Sequence, residues 1–164
     1  MSESPNNMIR ERVEEELEQL TKEIDGVRPL FEKLANHEPD GIEMRAAALT
    51  LHGFYNGVEA IFLTIAKYVD GQVPNDVRWH RRLLDQMKRP TDRRAAVIDQ
   101  RNYDTLLEYL SFRHMVRHSY PGTLTWNRFR KIARSLEESH TMIDHRIRQF
   151  LTDTIDQRLD ETES

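Results

Sequence analysis

Residues 42–69 read IEMRAAALTLHGFYNGVEAIFLTIAKYV, and this stretch decides the fold class. Met44, Ala48, Leu51, Tyr55, Val58, Phe62, Ile65 and Val69 recur at alternating spacings of four and three, the repeat of an apolar stripe along an α-helix. A second stripe, His52, Asn56 and Glu59, follows the same spacing on another face. Polar groups at that spacing are either solvated surface or a polar seam facing a site or a partner, and spacing alone leaves both open.

The same repeat continues on both sides. Upstream, Val13, Leu17, Leu20, Ile24, Val27, Phe31 and Leu34 predict a first helix over about 8–34. Pro29 interrupts its backbone bonding at a cost of about 3 kcal/mol, so with Gly26 nearby a kink or break is expected there. NHEPDG (36–41) is a polar turn. Downstream, VPNDVRWHRRLLDQM (73–87) predicts a shorter helix capped by Asn75 or Asp76, with Trp79, Leu83, Leu84 and Met87 inward. KRPTDRR (88–94) reads as a basic loop. A fourth helix is predicted from about Tyr103 towards His118, burying Leu106, Leu107 and Leu110. Thr123 or Thr125 then caps a last long helix from Trp126 to about Leu159, and residues 160–164 read as a disordered tail. No strand pattern of useful length and no internal repeat is present. The expectation is one all-α domain over 1–164, a bundle of long antiparallel helices with one or two short ones.

Bulk properties narrow the function classes. The chain of 164 residues contains no cysteine, which excludes disulfides and thiolate chemistry. Charges interrupt every apolar segment well short of the roughly 20 residues that cross a membrane. The acidic start MSESPNNMIRERVEEELEQL has no signal-peptide core, so a cytoplasmic location is expected. The net charge of −4 hides a division along the chain. Residues 78–136 hold fourteen Lys and Arg against five Asp and Glu, and no acid lies between Tyr109 and Leu136. Residues 1–45 hold six against twelve, and 137–164 three against eight. A basic block of this kind marks either a polyanion-binding face or a surface neutralised by the acidic terminal helices.

Within that block lies FRHMVRHSYPG (112–122). Pro121 biases Tyr120 out of the helical region, so the fourth helix must loosen just before it. Arg113 and Arg117 are four apart and share a helical face. Arg113 and His118 are five apart, about 140° round a regular helix. They converge only if the last turn unwinds or a second copy brings its own His118. Three readings stand. His114 and His118, at i and i+4, can both reach one metal ion, although no carboxylate is near in sequence. Basic side chains can simply complement the dipole of a helix C-terminus. Or the segment does phosphodiester chemistry: a histidine moves the proton of a ribose 2′-hydroxyl, and an arginine holds the charge on phosphorus.

The motif Arg113, four residues, His118, one residue, Tyr120 resembles that of the HEPN superfamily of helical RNases, and the trailing Tyr resembles its HepT-type toxins. LHGFYNGVEAIFLTIAKYVDG (51–71), WHRRLLDQM (79–87) and FRHMVRHSYPG follow in the order of a HepT-like chain, and the similarity covers roughly residues 45–150. The first helix lies outside it. The resemblance implies a HEPN-like helical bundle and a metal-independent endoribonuclease that needs no cofactor, with Arg113 and His118 catalytic at the interface of a homodimer. It implies tRNA as target. It also implies an MNT-family nucleotidyltransferase antitoxin as partner, which silences the toxin by binding and by transferring AMP to Tyr120. Many HEPN motifs carry Asn directly after the Arg, where this chain has His114.

The residue chemistry fits. AMP on Tyr120 would set bulk and negative charge beside Arg113 and Arg117, where RNA must bind. The plain alternative is that Tyr120 packs its ring on the Pro-Gly turn. Arg81 and Arg82, beside Trp79 and His80, are candidate RNA contacts or a solvated basic edge. Glu59 is a candidate ion-pair partner of a site arginine or a surface acid. His140 and His145 read as structural. The competing class is a non-catalytic helical module that binds a nucleotidyltransferase or a nucleotide. RNA cleavage that persists in excess chelator separates the two.

Overall fold

The computed structural model describes residues 4–162. Among them no strand forms, and the chain is a bundle of α-helices: α1 Pro5–Leu34, α2 Gly41–Ile65, α3 Trp79–Lys88, α4 Gln100–Arg117, α5 Trp126–Arg134, α6 Leu136–Phe150 and α7 Gln157–Thr162. Wider π-type turns extend α2 over Ala66–Asp70 and bridge α6 to α7 over Leu151–Asp156. No helix among the described residues is long and apolar enough to cross a membrane.

α2 is the central helix and touches α1, α3, α4 and α5. Its predicted stripe is buried at Ala48, Leu51, Tyr55, Val58, Phe62 and Ile65, and Ala47, Phe54 and Ile61 widen it to a second side. Capping fixes where it begins. Asp40 Oδ1 accepts from the backbone N–H of Ile42 (2.9 Å) and Glu43 (2.8 Å), and Glu43 Oε1 accepts from Asp40 N–H (3.1 Å). These bonds satisfy donors that a helix start otherwise leaves open. Gly71, at φ +70°, ends the extension in the left-handed conformation that glycine takes without strain.

α1 covers the core. Ile9, Val13, Leu17, Leu20, Ile24 and Leu34 are buried, and α1 lies along α2. A Cβ at Gly57 would come within 2.4 Å of Leu20 Cδ2, so this glycine lets the two helices approach. Arg10 pairs with Asp156, Arg28 pairs with Glu137, and Arg134 Nε donates to Leu34 O at 3.1 Å, tying α1 to the C-terminal helices. Of the kink or break expected at Pro29, the break does not occur, and α1 runs through it. Pro29 lies on the exposed side, where water can take the freed carbonyl of Asp25.

Other boundaries differ from expectation. α3 starts at Trp79, and Asp76 shapes the turn before it by accepting from Arg78 N–H at 2.9 Å. α4 starts three residues early, because Asp99 and Asn102 form a reciprocal cap (2.8 and 3.1 Å). Its core includes Tyr103, Tyr109 and Phe112, whereas Leu107 and Leu110 are only half-buried. The last long helix is divided at Ser135, whose hydroxyl donates back to Lys131 O (2.9 Å) and competes with the helical bonding there. Residues 160–162, expected in a disordered tail, lie in α7; 163 and 164 fall outside the described residues.

Candidate functional site

The loop between α3 and α4 is tied to the far end of α2 through Arg94 and Asp70. The last turns of α4 lie against the middle of α2, where Arg113 Nε donates to Asn56 Oδ1 at 3.3 Å. α4 therefore runs antiparallel to α2. This brings Arg113 and Arg117, one turn apart on α4, against Asn56 and His52, one turn apart on α2. Burial first, then the facing guanidiniums of Arg113 and Arg117, hold the His52 imidazole below its ordinary value.

The stripe His52, Asn56, Glu59 is thus a polar seam between helices. Glu59, only 7% exposed, is not a surface acid, and among the described residues its ion-pair partner is a histidine, not an arginine. Its Oε2 lies 2.6 Å from His80 Nδ1, and the His80 ring stacks on Trp79 with centroids 3.6 Å apart. Arg81 and Arg82 are taken up by neighbours. Arg81 Nε donates to Asp85 (3.3 Å) and to the Tyr103 hydroxyl (3.1 Å), and Arg82 pairs with Asp76 at 2.9 Å.

Arg113 and Arg117 are different. Among the described residues no carboxylate pairs with either. Among the described residues the acidic terminal helices do little to neutralise the basic block: of its ion pairs there, Arg101–Glu138 alone reaches them, while Arg81, Arg82, Arg94 and Lys131 find acids outside them.

α4 ends at Arg117, and His118 leaves the helical region at φ −104°, ψ 8°. The unwinding starts too late to turn His118 onto the face of Arg113. His114 and His118 are both exposed, with ring centroids 4.3 Å apart in an edge-to-face contact. No hydrogen bond joins Arg113 to His118 among the described residues. Tyr120 is 84% exposed, so its ring does not pack on the Pro-Gly turn. Its carbonyl instead accepts from Thr123 N–H (2.9 Å) and Thr123 Oγ1–H (2.7 Å), which closes that turn. One chain therefore assembles His52, Asn56, Arg113 and Arg117, and sets His114, His118 and Tyr120 round the corner at the helix end. His52 and Asn56 are the members that sequence reading left unassigned. The signal for them was their four-residue spacing.

Residues 46–154 match the family described as HepT-like protein. No curated protein and no solved structure matches the chain.

Proposed function

Since this chain belongs to the HepT-like family of the HEPN superfamily, we propose that it is a cytoplasmic endoribonuclease toxin acting on tRNA, held in check by an MNT-type nucleotidyltransferase antitoxin. The observation that carries this reading is the pair Arg113 and Arg117, two guanidiniums without acidic partners among the described residues, beside the helix end bearing His118 and Tyr120. A guanidinium keeps its charge at any working pH and can hold two phosphate oxygens at once. In this reading Arg113 and Arg117 hold the scissile phosphate, Arg113 stabilises its transition-state charge, and His118 transfers a proton.

The exposed face of α2 supports a homodimer. Ile42 and Leu49 are 78% and 74% exposed, and with Asn56 they lie seven apart on one strip that leads to the arginines. A second copy seated there would bring its own His118 towards this chain's Arg113. In sedimentation the wild type then runs as a dimer and Leu49→Asp as a monomer. Tyr120, with its ring in solvent, is open to AMP transfer, which would put a phosphate beside Arg113 and Arg117. A mass increase of whole AMP units on Tyr120, after incubation with the nucleotidyltransferase and ATP, checks that step.

The decisive experiment compares wild type with His118→Ala. The variant folds with unchanged helicity, loses growth inhibition, and cleaves tRNA at least about 100-fold more slowly in excess chelator. Full toxicity in His118→Ala would remove the catalytic assignment. A wild type that binds the nucleotidyltransferase but cleaves no RNA would leave a binding module instead.

A further inference from the structure

Three histidines of the described residues are half-buried: His52, His80 and His140. His80 is engaged by Glu59, and His140 Nε2 lies 3.3 Å from Thr21 Oγ1. His52 has no hydrogen-bond partner among the described residues. It faces Arg113 and Arg117, which have no carboxylate partner among the described residues, across the α2–α4 contact instead. One turn along α2, Asn56 takes the Nε–H of Arg113, leaving both terminal nitrogens of that guanidinium for a ligand. An anion held by Arg113 and Arg117 would therefore lie against the His52 ring.

We propose that His52 is a second catalytic residue of the phosphodiester reaction, the base that takes the 2′-hydroxyl proton at a phosphate held by Arg113 and Arg117. The proposal rests on the ribonuclease reading above and divides its proton transfers between two histidines. As the 2′-oxygen attacks, its proton passes to the free imidazole nitrogen of His52 and the P–O2′ bond forms. The P–O5′ bond breaks, and the departing 5′-oxygen takes a proton from His118. The products are a 2′,3′-cyclic phosphate and a 5′-hydroxyl, and no other reactant is consumed.

Helix geometry separates the two roles. Arg113 and Arg117 share the face of α4 that meets α2, whereas His114 and His118 share a face about 100° away. A base belongs beside the phosphate-holding arginines, because their charge favours the neutral imidazole. Burial acts in the same direction on His52. His118 stands in solvent at the helix end, where an imidazole can pick up a proton from water and deliver it. Whether His118 comes from this chain or from a second copy does not alter the role of His52, whose facing arginines lie within its own chain.

The test uses the full chain and two substrates. One is RNA, and the other is uridine 3′-(4-nitrophenyl phosphate), whose nitrophenolate departs without needing a proton. His52→Gln keeps the size and polarity of the side chain but cannot accept the proton, and His52→Ala is read in parallel. Both are expected to lose about 100-fold or more on both substrates, with circular dichroism unchanged. His118→Ala is expected to lose a similar factor on RNA but to keep most of its rate on the nitrophenyl ester. His52 variants that cleave RNA like wild type would overturn the proposal and leave the ribonuclease reading standing. So would His52 variants impaired on RNA alone, since that pattern marks an acid. A wild type that cleaves neither substrate would overturn both.

Discussion

Arg94 and Arg113 are the same side chain in opposite circumstances. Arg94 lies in the loop between α3 and α4 with its side chain fully buried. Nε and Nη2 each donate to Asp70 at 2.7 Å, Nη1 donates to the carbonyls of Arg89 (2.9 Å) and Ala95 (3.1 Å), and Nη2 also donates to Gln86 O (3.2 Å). Arg113 donates through Nε to Asn56 and has no carboxylate partner among the described residues. The first guanidinium is used up in holding the loop to the end of α2. The second is held in place with most of its donors open. A basic block in a sequence therefore mixes two kinds of arginine, and which kind is which depends on the neighbours that surround each one.

The contrast is broken most directly at Arg94. Arg94→Ala strands the Asp70 carboxylate in the interior and is expected to cost about 3 kcal/mol or more. Urea unfolding measures it, and a loss no larger than that of an exposed arginine would end the distinction. Arg113→Ala should do the reverse. Cleavage is expected to fall about 100- to 1000-fold while the unfolding midpoint stays where it is. Arg113→Lys should not restore the rate, since an ammonium lacks the planar fork. A large loss of stability in Arg113→Ala would make it a structural arginine after all.

The smallest effect concerns a half-buried histidine. Burial above all, with Arg28 and Arg148 nearby, lowers the His140 pKa, against the pull of Asp144 and Asp25. The Phe54 ring packs on its remaining side. The folded pKa thus lies below that of the unfolded chain. Above the ordinary histidine range both states are neutral and His140 imposes no penalty. As pH falls through that range the unfolded chain takes the proton first, so stability is lost towards acid. Melting temperature should therefore fall less steeply from pH 7 to pH 5 in His140→Gln than in wild type. Equal slopes would show that the surroundings of His140 do not oppose its protonation.

Much of the fold was legible in single residues. The four-and-three spacing located α1 and α2 because one-sided burial on a helix must repeat at its turn. The caps were equally readable in principle: Asp40 with Glu43, and Asp99 with Asn102, stand at the offset that reciprocal capping requires. The division at Ser135 was not, since the apolar spacing continues across it and a serine hydroxyl has several local partners to choose from. The motif residues Arg113, His118 and Tyr120 were found as a pattern. The partners Glu59–His80 and Arg94–Asp70 were not, being 21 and 24 residues apart in sequence.

The sequence by itself determined that this is an all-α chain of the HepT-like family, because helical periodicity and the spacing of a short motif are local properties. It also determined where the basic residues fall. Only the tertiary structure decided which of them are free, because that depends on which acids the packing brings within reach. Antiparallel packing of α4 on α2 set His52 against Arg113 and Arg117, from 61 and 65 positions away. That juxtaposition exists in the fold and nowhere in the order of the residues.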